Sequence, residues 1–221
     1  AAGLPQAMIQ LFYHMDPEVG ASLCGDTRLG AIGFTGSEAT GRKIKAAADV
    51  AGIPAYLEMS SINPVAFLPG VMQEKAVALA DEFAGSCLLG VGQFCTNPGL
   101  ILTVAGEATE TFITQAAQGF AGAASGVMLT PELPKHLDSG VKHLTDQGAE
   151  LLARGVESTE AGARGRPALL RIAGAAFVAN PNGFQNEMFG PASLIVVAAD
   201  EAELLAVGAQ LHASLTCSFY T

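Results

Sequence analysis

The stretch RLGAIGFTGSEATGRKIKAAADVAGIPAYLEM, residues 28–59, decides the fold. It predicts a short strand over Arg28–Phe34, a glycine-containing turn at Thr35-Gly36-Ser37-Glu38, a helix from Ser37 to Ala51 and a second strand over Ile53–Met59. Gly52 closes the helix and Pro54 stands two residues beyond, both ordinary stop signals. Strand, helix and strand in that order form the repeating unit of a parallel sheet.

The alternation continues downstream. A helix is expected over Met72–Leu88, with Val77, Ala80, Phe83, Ala84 and Cys87 on one apolar face, then a strand over Leu100–Ala105. A helix over Ala108–Gly122 buries Phe112, Ile113 and Phe120, and another is expected over Lys135–Ala153. Gly155–Pro167, rich in Gly, Glu and Arg, reads as an exposed loop or hairpin. Strands at Ala168–Ala173 and Leu194–Ala199 and a closing helix over Glu201–His212 follow, and Leu215–Thr221 reads as the start of a further strand. The fold class is α/β with a mainly parallel sheet, without internal repeats.

Composition narrows the function. Half of the 221 residues are apolar, enough for a sizeable core. Eleven Lys and Arg against 21 Asp and Glu give a formal charge of −10, which speaks against nucleic acid as a partner, since that needs a basic face. A small anion needs only local donors such as a helix N-terminus. No apolar run approaches the ~18 residues of a membrane span, so no membrane partner is expected. Cys24, Cys87, Cys95 and Cys217 form no CxxC pair, and the four histidines are not at metal-ligand spacing from them, so no metal site is expected. Reduced thiols fit an intracellular, cytoplasmic protein. The ends of the chain read as those of a piece cut from a longer protein.

Four short motifs carry chemistry. Gly92-Gln-Phe-Cys95-Thr-Asn-Pro98 puts a thiol on a tight turn between helix and strand, where a scaffold can fix the direction of an exposed sulfur. A buried, inert cysteine is the plain alternative. Gly33-Phe-Thr-Gly36-Ser37 runs from strand to helix, so free amides and the Ser37 hydroxyl offer a phosphate site; Thr35 or Ser37 as a simple N-cap, with Thr35 and Glu38 as a capping box, is compatible with it. Gly36 to Lys43 is a near miss to a P-loop, with Arg42 and Lys43 where the phosphate-gripping lysine and the metal-binding hydroxyl belong, which disfavours a nucleotide triphosphatase. Glu58, flanked by apolar residues at a strand end, is expected to be desolvated and so suited to general-base work, with a solvated carboxylate as the alternative. In Asn186-Glu187-Met-Phe189-Gly-Pro191 a carboxylate can accept from a ribose diol and a ring can pack beside a flat heterocycle, or the segment is simply a turn entering a strand.

Taken in chain order, Phe34-Thr-Gly-Ser37, Leu57-Glu58, the Cys95 motif and Glu187-Met-Phe-Gly-Pro191 resemble, in order and spacing, the aldehyde dehydrogenase superfamily from about Gly3 to Thr221, covering the middle and later part of a family member. Met59-Ser-Ser-Ile-Asn-Pro64, in place of the commoner Leu-Gly-Gly after the glutamate, together with the cysteine motif, is similar to the 2-oxoglutarate semialdehyde (2,5-dioxovalerate) dehydrogenases of bacterial pentose and sugar-acid catabolism. The resemblance implies NAD or NADP as cofactor, a small aldehyde as substrate and a homo-oligomer, dimer or tetramer. It places the closing part of a Rossmann-like cofactor domain at residues 1–60 and most of an α/β catalytic domain at 61–221. Catalytic roles fall to Cys95 as nucleophile and Glu58 as the base that activates water. Gly36 and Ser37 would hold the pyrophosphate, Glu187 the nicotinamide ribose, and Phe189 would position the nicotinamide ring.

The same resemblance places the oxyanion-stabilising asparagine and the lysine-bearing adenosine-ribose segment upstream of Ala1, and the last part of the substrate funnel past Thr221. The polypeptide alone is therefore expected to have little activity. Alternatives are another aldehyde specificity, fatty or aromatic, and a catalytically silent structural domain.

Overall fold

A computed structural model describes residues 3, 5 and 7–221. The chain divides into two compact units, residues 1–60 and 61–221.

The first unit contains helix α1 (Pro17–Cys24), strand β1 (Ile32–Thr35), helix α2 (Glu38–Ala51) and strand β2 (Ala55–Glu58). β1 and β2 pair in parallel, with Ile32 opposite Ala55 and Thr35 opposite Glu58. Helix α2 ends where expected: Gly52 has φ +70° and Ile53 N–H returns to the Ala48 carbonyl at 2.9 Å. The capping box does not form. Thr35 is still in β1, and Ser37 caps the helix instead, its Oγ accepting from Thr40 N–H at 3.4 Å.

The second unit is built on a six-stranded sheet. Its elements run β3 (Pro64–Phe67), α3 (Pro69–Leu88), β4 (Leu100–Val104), α4 (Glu107–Gly122), β5 (Gly126–Val127), α5 (Glu132–Asp146) and β6 (Glu150–Arg154). They continue with β7 (Arg164–Gly165), β8 (Ala168–Ala173), α6 (Gly174–Ala179), α7 (Pro181–Phe184), β9 (Ala192–Ala198), α8 (Glu201–Gly208) and β10 (Ser218–Tyr220). The sheet order is β10-β3-β4-β9-β8-β6, parallel except for β6 against β8, while β5 and β7 form a small antiparallel ribbon.

Parallel strands buried on both faces favour near-continuous apolar runs, and all seven residues of β9 are buried, with Ser193 its one polar side chain. Alternation along β9 feeds two cores. Leu194 and Val196 join Leu100, Leu170, Leu144 and Phe177 on one side. Ile195 and Val197 join Ile101, Leu169, Phe83 and Phe112 under α3 and α4 on the other. The second core is aromatic: Phe112 lies 5.1 Å from Phe67 and 5.8 Å from Phe83, ring centre to ring centre. Strand β10 is fastened to it by Tyr220, whose ring is 4.9 Å from Phe67 and whose hydroxyl donates to Glu82 Oε1 at 2.8 Å.

Three expectations need correction. Helix α5 stops at Asp146, and residues 150–154 form a strand, because Gly148 takes φ +97° and turns the chain into the sheet. In α3 Val77 is 49% exposed and Leu79 is buried: the buried stripe runs through Leu79, Ala80, Phe83, Ala84 and Cys87, and at 100° per residue Val77 falls on its flank. Helix α8 ends at Gly208 rather than His212. Strand β3 and helices α6 and α7 were not expected from the sequence; each is too short, or too bounded by Pro and Gly, to show a period. Gly155–Pro167 has exposed residues at its tip, but its base is closed by Gly155 N–H to the Pro167 carbonyl at 2.9 Å.

Phe112 is fully buried in the aromatic core, so Phe112→Ala should lower stability by about 3–5 kcal/mol in urea unfolding, at an unchanged secondary-structure spectrum.

Candidate active site

Two cysteines eight residues apart have opposite environments. Cys87 is on the inner face of α3 and fully buried. Burial pushes its thiol up to about 12, only partly opposed by Asn97 Nδ2 at 3.7 Å. Cys95 lies past the helix, on the turn Phe94–Asn97 closed by Asn97 N–H to the Phe94 carbonyl at 3.1 Å, and it is exposed.

Between them the backbone makes an uncommon turn. Gly90, Val91 and Gly92 have φ of +56°, +60° and +63°, a left-handed path that a β-branched valine rarely takes. Gly92 is also pressed against the loop before β9: a Cβ there would stand 2.2 Å from the Gly190 carbonyl oxygen. Gln93 then pins the turn to the ribbon, its Nε2 donating to the Val127 carbonyl at 3.4 Å and its Oε1 accepting from Leu129 N–H at 2.8 Å. Asn97 Nδ2 donates to the Gly190 carbonyl at 3.2 Å. From below, Asn63, just before β3, donates from Nδ2 to the carbonyls of Cys95 at 2.9 Å and Asn97 at 3.0 Å.

These contacts bring the cysteine loop against the segment 186–191. Gly92, Phe94, Asn97, Glu187 and Phe189 share the lining of one narrow cleft, with Glu187 and Phe189 half-buried. The structure thus places together, within the second unit, the thiol turn and the two residues expected to meet the nicotinamide end of a cofactor.

The other candidates belong to the first unit. Gly36 and Ser37 form the exposed turn into α2, and Gly36 N–H donates to the Glu58 carbonyl at 3.0 Å. Of the amides at the start of α2, Glu38 N–H donates to Ser60 Oγ at 3.2 Å and Thr40 N–H to Ser37. Hydroxyls and amides at the positive end of a fourteen-residue helix match a phosphate group in charge and donor type. Glu58 is a correction: it is exposed, not desolvated. Helix α2 covers the β-face carrying Ile32, Phe34, Ala55 and Leu57, and alternation sends Gly33, Thr35, Tyr56 and Glu58 to the open face.

The aldehyde dehydrogenase family profile matches residues 1–221. The chain belongs to the aldehyde dehydrogenase family. It is 37% identical to alpha-ketoglutaric semialdehyde dehydrogenase 2 of Azospirillum brasilense and 30% identical to alpha-ketoglutaric semialdehyde dehydrogenase of Acinetobacter baylyi, each over 98% of this chain and 41% of the relative. The chain therefore spans about two fifths of the length of these curated relatives. The crystal structure of an NAD-dependent benzaldehyde dehydrogenase from Corynebacterium glutamicum superposes with a TM-score of 0.75 at 18% identity, over 94% of this chain and 45% of that one. An aldehyde dehydrogenase fold accounts for the mostly parallel sheet with helices on both faces.

Asn63 and Gln93 stand within motifs visible in the sequence, yet nothing there showed that they brace the turn. Their partners are 32 to 36 residues away and are backbone groups, which carry no side-chain signature. Among the described residues no group of three or more His, Cys, Asp or Glu is arranged around a metal position. No helix among them is long and apolar enough to cross a membrane.

Burial separates the thiols experimentally. In the native protein at pH 8, iodoacetamide should modify Cys95 and Cys217 readily and the half-buried Cys24 more slowly, with Cys87 modified only after unfolding, as read by peptide mass mapping. The raised Cys87 value also has a definite sign. Below pH 9 the thiol is protonated in both states; between 9 and about 12 the unfolded chain ionises first, so stability falls across that window. The fall should be shallower in Cys87→Ala.

Proposed function

We propose that this chain carries the nucleophile and the water-activating carboxylate of an NAD(P)-dependent dehydrogenase acting on 2-oxoglutarate semialdehyde. The observation that carries the reading is the contrast of thiols: Cys95 exposed on a turn braced from three sides, Cys87 sealed in the core. The names of the two relatives, at 37% and 30% identity, support the substrate. The likeness of fold to an NAD-dependent enzyme supports a nicotinamide cofactor.

In this reading the Cys95 thiolate adds to the aldehyde carbon and forms a thiohemiacetal as its alkoxide, from which hydride loss needs no further proton transfer. Bound NAD(P)⁺ supplies the hydride acceptor. Loss of hydride from the thiohemiacetal leaves a thioester on Cys95, for which sulfur is both a good nucleophile and a good leaving group. Glu58 takes a proton from water, the hydroxide adds to the thioester carbon, and the acid leaves with the thiolate restored. Ser37 and the amides beside Gly36 would hold the pyrophosphate, Glu187 would accept from the nicotinamide ribose, and Phe189 would keep the ring in place. The protein is read as a cytoplasmic homo-oligomer, consistent with free thiols and with exposed apolar side chains such as Phe12 and Tyr13.

In the full-length protein that contains this chain, Cys95→Ser should lower aldehyde oxidation by about three orders of magnitude or more, and Cys87→Ser should leave it near the starting value. Equal behaviour of the two would remove Cys95 as the nucleophile. Glu58→Gln should give one burst of NAD(P)H and a trapped thioester visible by mass; undiminished steady-state turnover would remove Glu58 from the mechanism. kcat/KM across semialdehydes, fatty aldehydes and aromatic aldehydes tests the substrate, and 2-oxoglutarate semialdehyde should rank first. Because the chain covers 41% of its relatives' length, the 221 residues expressed alone should show little turnover; normal rates would refute that.

A further inference from the structure

We propose that Asn63 is the positioning residue of the nucleophile, setting the direction of the Cys95 side chain through the carbonyl of Cys95 itself. This rests on Cys95 being the nucleophile.

The Asn63 carboxamide is only 2% exposed, and all its hydrogen-bonding capacity is used. Nδ2 donates to the carbonyls of Cys95 and Asn97, the two residues that flank the exposed Thr96. Oδ1 accepts from Ser61 Oγ at 2.7 Å and from Thr216 Oγ1 at 3.1 Å. A flipped amide would set its oxygen against two carbonyls, so the donor set itself fixes the orientation. The backbone adds to this: Asn63 has φ +48°, a left-handed conformation that asparagine tolerates better than most residues, and Pro64 follows it.

A turn with an exposed cysteine has few internal restraints. Holding the carbonyl of Cys95 at 2.9 Å fixes the peptide that follows the nucleophile, and so the direction in which its Cα–Cβ bond leaves the turn. The clamp is anchored at its far end as well. Ser61 Oγ, which donates to Asn63, accepts from Leu215 N–H at 2.8 Å, and Thr216 lies in the same segment. The segment leading into β10 and the turn bearing Cys95 thus share one buried carboxamide. Gln93 and Asn97 hold the turn on either side of the cysteine, whereas Asn63 grips the nucleophile's own backbone.

The test uses the full-length protein and two readouts that stability alone would not move. The first is the rate of Cys95 alkylation by iodoacetamide against pH, with Cys24 in the first unit as the internal reference. The second is the division of any activity loss between kcat and KM for the aldehyde. Asn63→Ala should slow Cys95 alkylation by about tenfold and displace its pH profile with Cys24 unchanged, and should lower kcat by about tenfold to a hundredfold at nearly constant KM. A folded Asn63→Ala with the original Cys95 rate and profile would overturn the proposal, whatever its melting temperature. If Asn63→Ala does not fold, Thr216→Val, which removes one hydroxyl from Oδ1, should slow Cys95 about two- to threefold, and an unchanged profile there is equally decisive against it. A Cys95→Ala variant that still oxidises aldehyde would end the nucleophile reading instead, while the alkylation comparison would still decide whether Asn63 holds the turn.

Discussion

Strands β3 and β4 are parallel, so α3 between them runs the other way and the chain must reverse before β4 begins. It does so through three successive left-handed residues, Gly90, Val91 and Gly92. Glycine takes that conformation freely; the strain falls on Val91, about 1–2 kcal/mol for an L-residue. What holds it there is packing. The Val91 methyls fill a notch over Gly126, where a Cβ would lie 2.4 Å from Cγ2, and the Gly92 backbone rests on the Gly190 carbonyl. The reversal therefore depends on bare backbone at 92 and 126, and the placement of Gln93, Cys95 and Asn97 depends on the reversal. Strain at a position that directs a reactive side chain is the pattern expected where geometry is fixed for function.

The same reversal explains why two thiols so near in sequence differ in chemistry. Cys87 belongs to the last inward-facing row of α3, where desolvation penalises the thiolate. Eight residues later the chain has left the helix, and the sulfur of Cys95 meets solvent while its backbone remains tied to the start of β3 by Asn63 and to the ribbon by Gln93.

The sequence showed the fold wherever period and punctuation were strong: β8 runs over Ala168–Ala173 as expected, and α2 and α4 fall within a residue of their expected ends. It failed where a single backbone angle decided the outcome. Leu151 and Leu152 continue the apolar pattern of α5, and only Gly148, with its positive φ, turns them into a strand. Val77 is apolar and lies three residues before Ala80, but the buried stripe is centred on Leu79, Ala80 and Phe83, and Val77 stands at its exposed edge. Glu58 looked desolvated because its neighbours in sequence are apolar, but neighbours along a strand point to the opposite face and cannot cover it. The bracing of Cys95 was illegible for another reason: carbonyl oxygens 95, 97, 127 and 190 are its partners, and every residue has a carbonyl.

Asn97 joins the two halves of the cleft. Its own carbonyl is gripped by Asn63, and its Nδ2 grips the carbonyl of Gly190, one residue past Phe189. The thiol turn and the segment with Glu187 and Phe189 are therefore connected by bonds through one side chain rather than by two loops that meet by diffusion. The spacing of the two loops is in this way set by the hydrogen-bonded frame that passes through one asparagine.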